Sequence, residues 1–276
     1  MRPESVLEPG NPLHMRILDD VPFDLDAEEV FKRLHLDTQS QYADEIHAII
    51  ERARQLARPR AVYEVAFVQE REAESVVIGE ANRDLEHALG QDSTRHRPLP
   101  PQRRTGGDSG LQEGRARFVS KVLRANLDEV ERVFPYVATC GRELDSIPMA
   151  NDDIFGQFCR DTIKEMALVA AISHLVTHLK EAYVLETLVS MNPGSGDINV
   201  WPIEQQKNLF AFFGDVQESI GVALTDSCLM VPNKSVSGLL YPSEDGFQSC
   251  QLCHRQKCPN RRAPFDPHLW EERLGS

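Results

Sequence analysis

LTDSCLMVPNKSVSGLLYPSEDGFQSCQLCHRQKCPNRRAPFDPHLW, residues 224–270, is the stretch from which the rest of the chain is read. Its first part, Leu224 to Tyr241, is an apolar block punctuated by turn residues, and its second carries Cys250-x2-Cys253-x4-Cys258. Two cysteines at i,i+3 can set two sulfurs on one metal from a tight turn, and Cys258 returns a third after a small loop. Structural zinc and iron–sulfur clusters both use such spacing. A fourth ligand has to come from elsewhere: Cys228 is the first choice, His254 and His268 the next, with Cys140 and Cys159 behind them. Arg255, Lys257, Arg261 and Arg262 crowd round the cluster, which suits anionic thiolates. The expectation is a metal site, an iron–sulfur cluster ahead of zinc.

Working outward, the whole chain of 276 residues is 41% hydrophobic and 26% charged, the composition of a soluble globular protein. A formal charge of −13 argues against a general nucleic-acid binder and against docking on anionic membranes. Met1 is followed by Arg2, Pro3 and Glu4 rather than an apolar leader, and the most apolar window, Met166 to Val176, is too short to span a bilayer. A cytoplasmic location is expected. Thiols stay reduced there, so six cysteines favour metal ligation over disulfides.

Residues 1–15 read as an irregular lead-in, and Ile17 to Asp24 as a short strand and turn. Asp26 caps a helix, and a second runs from Gln41 to Leu56, with Ile46, Ile49, Ile50 and Ala53 at helical spacing. Ala61 to Val68 and Ser75 to Ile78 read as strands. Residues 80–114 form an insertion whose Pro-, Gly- and Arg-rich part has little to bury, with a helix at Asn82 to Leu89. A helix is expected from Arg117 to Leu127 and a buried strand from Val133 to Cys140. The longest helix starts at Asp152 or Asp153 and runs to Leu188, and another amphipathic helix starts at Pro202 and closes at Gly214. Short strands among unevenly spaced helices, without βαβ alternation, indicate an α+β fold. The domain organisation is a main unit over 16–245 and a cysteine-rich extension over 246–276.

His174 and His178 stand at i,i+4, a spacing able to bind metal, though packed histidines are the simpler reading. Glu165 is a carboxylate on the most apolar helix. The loop from Asn192 to Asn199 precedes a helix, so its backbone amides can cradle an anion, with Gly194 and Gly196 allowing close approach. No phosphate-binding glycine loop, nucleophile elbow or HExxH motif is present.

Asn192-Pro193-Gly194, Trp201-Pro202-Ile203-Glu204-Gln205-Gln206, Leu209-Phe210, Gly221-Val222, Leu224-Thr225-Asp226-Ser227, Met230, Pro232 and Ser235-Val236-Ser237-Gly238 form a series. In kind, order and spacing it resembles the activation (reactivation) domain of cobalamin-dependent methionine synthase, most of all the short free-standing relatives of that domain. The match covers about 15–80 and 115–258 and includes Val133 to Gly141. The resemblance implies an α+β fold with a twisted antiparallel sheet and flanking helices. It implies a role in the reductive reactivation of cobalamin held by a partner, either a corrinoid protein or a methyltransferase subunit. By the same resemblance Glu165, Pro193 and Gly194 match the family's S-adenosylmethionine site. The chain departs from that site at Ser190, where the family has an arginine for the methionyl carboxylate, and at Ser195, where it has an aromatic residue. Serine cannot replace a charge-assisted clamp. Cys250, Cys253 and Cys258 have no counterpart in the family domain, and an iron–sulfur centre there, with Cys228 as fourth ligand, would supply the electron that a flavoprotein supplies elsewhere.

Overall fold

A computed structural model of the chain describes residues 15–80, 111–112, 114–196, 198–243, 246–258 and 261–275. The lead-in over 1–14 and the greater part of the insertion, including the helix expected at Asn82 to Leu89, lie outside the described residues.

The sheet is organised on β7 (Arg132–Thr139). One edge of β7 pairs with β11 (Ser235–Pro242). The other edge pairs with β2 (Arg60–Tyr63) and then β3 (Ala66–Arg71). The expected single run from Ala61 to Val68 is thus two strands parted at Glu64 and Val65. Pro135, with no N–H to offer, falls at that hand-over, where its carbonyl accepts from Glu64 N–H at 3.1 Å. Beyond β2 lies β1 (Arg16–Leu18). Beyond β3 lie β4 (Ser75–Gly79), β6 (Arg115–Val119) and β5 (Leu111–Gln112), and β8 (Leu188–Met191) borders β11. Every pairing is antiparallel.

β7 is apolar almost throughout because both faces of the sheet are covered, so alternation sorts its residues between two cores instead of between core and water. Val133 and Val137 join Val62, Leu239 and Tyr241 on one face, while Phe134, Tyr136 and Ala138 join Ala61, Tyr63 and Leu240 on the other. The second face is covered by Ala171, Leu175 and Leu179 of α4 (Ile154–Tyr183). The N-terminal part of α4 packs with α1 (Ala27–Arg33) and α2 (Ala43–Leu56) in a third cluster that holds Cys140 and Cys159. The first face is covered by α3 (Lys121–Asn126), α5 (Gln206–Phe213) and α6 (Val216–Ile220), with Leu269, Trp270 and Leu274 of α7 (Pro267–Leu274) packed against them. Phe247 and Leu252 are buried in that same cluster, so the cysteine-rich segment shares the main core.

The expected caps are present. The Asp26 carboxylate accepts from Glu28 N–H at 3.0 Å and the Asp153 carboxylate from Gly156 N–H at 2.7 Å. Two boundaries differ. Arg117 to Leu127 is not one helix: Ala116 and Phe118 alternate with exposed neighbours in β6, and Ser120 then caps α3 by accepting from Leu123 N–H at 2.9 Å. The apolar residues of strand and helix fall in step, so two elements imitate one helical stripe. The longest helix ends at Tyr183 rather than Leu188, because Val184 turns into the left-handed region (φ 53°) and sends the chain back along β11 as β8. No described helix is long and apolar enough to cross a membrane.

Candidate functional site

Four segments far apart in sequence wall a cleft of about 950 Å³. They are the first turns of α4 (Gln157, Phe158, Arg160, Asp161, Lys164), the loop after β8 (Asn192 to Ser195), the lead into α5 (Ile203, Gln206), and the stretch from Thr225 to Val236. Asp145 and Arg262 complete the lining. The volume is that of a small-molecule site.

The loop after β8 is pinned at both ends. Gly238 lies so close to it that a Cβ there would stand 2.3 Å from the Met191 carbonyl oxygen. This contact allows the Asn192 side chain to donate to the Ser237 carbonyl at 2.8 Å and the Tyr136 hydroxyl oxygen at 2.7 Å. Gly194, at φ +74°, turns the chain, and its N–H donates to the Trp201 carbonyl at 2.8 Å. Trp201 is fully buried, edge-on to Phe118 with ring centroids 5.2 Å apart. Opposite this loop, β9 (Ala223–Leu224) and β10 (Met230–Val231) form a hairpin. Its turn is held by Cys228 N–H to the Thr225 carbonyl (2.9 Å) and by Leu229 N–H to Thr225 Oγ1 (3.0 Å). Phe158, Leu229 and Val231 line the cleft yet are 55%, 61% and 51% exposed, so its rim is apolar.

Of the residues expected to bind a cofactor, Pro193 and Gly194 are on the wall. Glu165 stands beside it, half-exposed, paired with Lys234 at 3.2 Å. The buried charge on α4 is its neighbour Lys164, only 4% exposed, whose ammonium donates to Asp145 and Asn233 at 2.7 Å each. A charge so far from water is held only by such partners. Ser190 lies within β8 opposite Leu240, and Ser195 lines the cleft. His178 is a packed residue, its Nε2 2.9 Å from the Tyr63 hydroxyl, and His174 lies 3.9 Å from Asp20.

Cys250 sits in a 3₁₀ turn, Ser249–Leu252, and its Sγ accepts from Arg262 N–H at 3.4 Å. The Arg261 guanidinium ties this loop by donating to the carbonyls of Cys250 (3.2 Å), Cys253 (3.0 Å), Arg255 (2.5 Å) and Ala263 (3.0 Å). His254 packs against Phe265 and Trp270. Among the described residues, no three His, Cys, Asp or Glu side chains are gathered as a metal-holding group. Cys228 belongs to the hairpin wall of the cleft.

Five of the six thiols fall into two groups. Cys140 and Cys159 are fully buried, and burial pushes both up to about 12, so they stay protonated at any mild pH. In the native protein iodoacetamide is expected to label Cys250, Cys253 and Cys258 and to reach Cys140 and Cys159 only after denaturation. Peptide mass spectrometry with and without denaturant reads the pattern, and native labelling of Cys140 would refute the burial.

No protein-family model matches this chain, and no curated protein matches it by sequence. The fold is nonetheless of a known class, an α+β architecture built on an antiparallel sheet with flanking helices. One solved structure similar to it is the crystal structure of the MetH reactivation domain bound to AdoHcy. The two share 14% identity at a TM-score of 0.52, over 86% of this chain and 80% of that one. At that identity the likeness shows the fold.

Three cleft residues had little signal in the sequence. Lys164 stood out only as a charge beside Glu165, Gln206 only as one member of the series that resembles the reactivation domain, and Arg262 as part of the cysteine cluster's basic surroundings. Only the burial of Lys164 and Gln206 and the folding back of the C-terminal segment bring them together.

Proposed function

We propose that this protein is an accessory component of a cobalamin-dependent methyl-transfer system of the methionine synthase type, assisting the reductive reactivation of a separate corrinoid protein. One observation carries the reading. Parts of three stretches that carry the sequence resemblance, namely Asn192 to Gly194, then Ile203 and Gln206, then Thr225, Met230, Pro232, Ser235 and Val236, line a single cleft. The overall fold, similar to the MetH reactivation domain, supports the same role. The exposed Phe158, Leu229 and Val231 give the cleft mouth the apolar character that suits a large, partly apolar macrocycle presented by a partner.

Mixing the protein with the isolated cobalamin-binding module of a methionine synthase in the cob(II) state tests the role. A stoichiometric complex in sedimentation, a changed visible spectrum, and loss of both in Phe158→Asp and Leu229→Asp are expected. Absence of any complex would remove the reading.

A metal at Cys250, Cys253 and Cys258, with Cys228 as fourth ligand, belongs to this proposal as a one-electron centre or as a staple for the C-terminal segment. The arrangement described above does not gather these thiols, so no chemical step is assigned to such a centre. Iron and zinc analysis with visible spectroscopy on protein purified without oxygen decides it, and colourless protein free of both metals leaves the docking role alone.

A further inference from the structure

We infer that the cleft is an anion-recognition site, in which Arg262 and Gln206 hold the carboxylate or phosphate end of a small-molecule ligand. The inference rests on the cleft being a ligand site, as proposed above, and adds the chemistry of what enters it.

The donors and acceptors on the wall do not balance. Asp145 and Asp161 are its carboxylates, and both face Lys164, at 2.7 Å and 4.0 Å. That leaves the guanidinium of Arg262 and that of Arg160, whose Nη1 donates to the Ile147 carbonyl at 3.3 Å, neither ion-paired with a carboxylate of any described residue. Gln206 is 3% exposed, and its Nε2 is buried without a hydrogen-bond partner among the described residues. Arg160 Nε is buried and unpartnered in the same way. A buried N–H left unpaired carries its full desolvation cost. A ligand that brings acceptor oxygens and negative charge removes that cost and satisfies the guanidiniums together. This local excess of donors sits in a chain whose formal charge is −13, so it is not a by-product of a basic surface.

Arg262 is placed by a rigid base. Leu252 is buried in the main core, Asp266 N–H donates to the Gln251 carbonyl at 2.8 Å, and Arg261 ties the carbonyls on either side of the loop. Arg262 leaves that base to line the cleft, with its own N–H fixed on Cys250 Sγ. The C-terminal segment therefore supplies a recognition residue to a cleft built mostly from the main sheet and α4.

Calorimetry on the full chain tests the assignment with three probes: AdoHcy, which carries a carboxylate; pyrophosphate, which carries phosphate; and methylthioadenosine, a nucleoside thioether with neither. One anionic probe is expected to bind. Arg262→Gln and Gln206→Leu should each weaken it by at least about tenfold, the size of a lost charge-assisted or buried hydrogen bond. Arg262→Lys should fall between, and methylthioadenosine should not distinguish wild type from variants. AdoHcy as the binder assigns a carboxylate ligand, pyrophosphate a phosphorylated one. Unfolding midpoints equal to wild type show that the variants fold. The inference is overturned if neither anionic probe binds, or if the substitutions leave their affinity unchanged. It is also overturned if methylthioadenosine binding falls in parallel. Anion binding without a corrinoid complex defeats the functional reading alone, whereas a corrinoid complex without anion binding defeats this inference alone.

Discussion

Trp201→Ala is expected to destabilise the protein by about 3–5 kcal/mol, the range for truncating a fully buried large aromatic residue. The indole fills the space against Phe118 of β6, and an alanine leaves a void that a close-packed interior only partly closes. The effect should reach the cleft, because the Trp201 carbonyl is the acceptor that holds Gly194 N–H at 2.8 Å. Urea unfolding measures the first effect, and affinity for the anionic probe measures the second. Trp201→Phe serves as the contrast. Its Nε1–H has no partner among the described residues, so phenylalanine loses volume but no hydrogen bond and should cost far less. A loss under about 1 kcal/mol in Trp201→Ala would contradict the packing described.

The second large effect belongs to Gly238→Ala. The added Cβ would lie 2.3 Å from the Met191 carbonyl oxygen and 2.4 Å from Asn192 Nδ2. The first of these is backbone of the neighbouring strand, so relief requires β8 to move away from β11. The second is the side chain that fixes the cleft loop to Ser237 and Tyr136. A cost of about 2–3 kcal/mol is expected, the upper part of the overpacking range because the obstruction cannot rotate aside. Ligand affinity should fall with stability, since Asn192 leads directly into Pro193 and Gly194 on the cleft wall. Stability within about 0.5 kcal/mol of wild type, the range of an ordinary surface change, would show that β8 and β11 are not so close.

Much of the scaffold was legible because it depends on local rules. β7 announced itself as a continuous apolar run ended by a glycine, and Asp26 and Asp153 announced helix starts through side chains able to meet unpaired N–H groups. Gly214 marked the end of α5 for the complementary reason, its φ of 77° being open to a residue without Cβ. β6 was misread because Phe118 lies four residues before Val122, and that spacing does not say whether the chain between them is extended or coiled. Ala116 and Phe118 in alternation, with Ser120 just before an apolar helix, were the available signal. β8 was missed because Val184, with no glycine to mark the turn, carries the left-handed turn that ends α4.

The sequence by itself determined most of the helices, the central strand, the apolar faces they bury and the segments that resemble a reactivation domain, since each depends on residues a few positions apart. Tertiary structure alone decided which of those segments share a cleft, that Lys164 rather than Glu165 is the buried charge on α4, and that Arg262 reaches the site from the C-terminal segment. The physical reason is the reach of the interactions. Periodicity and capping act within a few turns of chain, whereas desolvation and hydrogen-bond balance belong to groups that meet only when the sheet has closed between them.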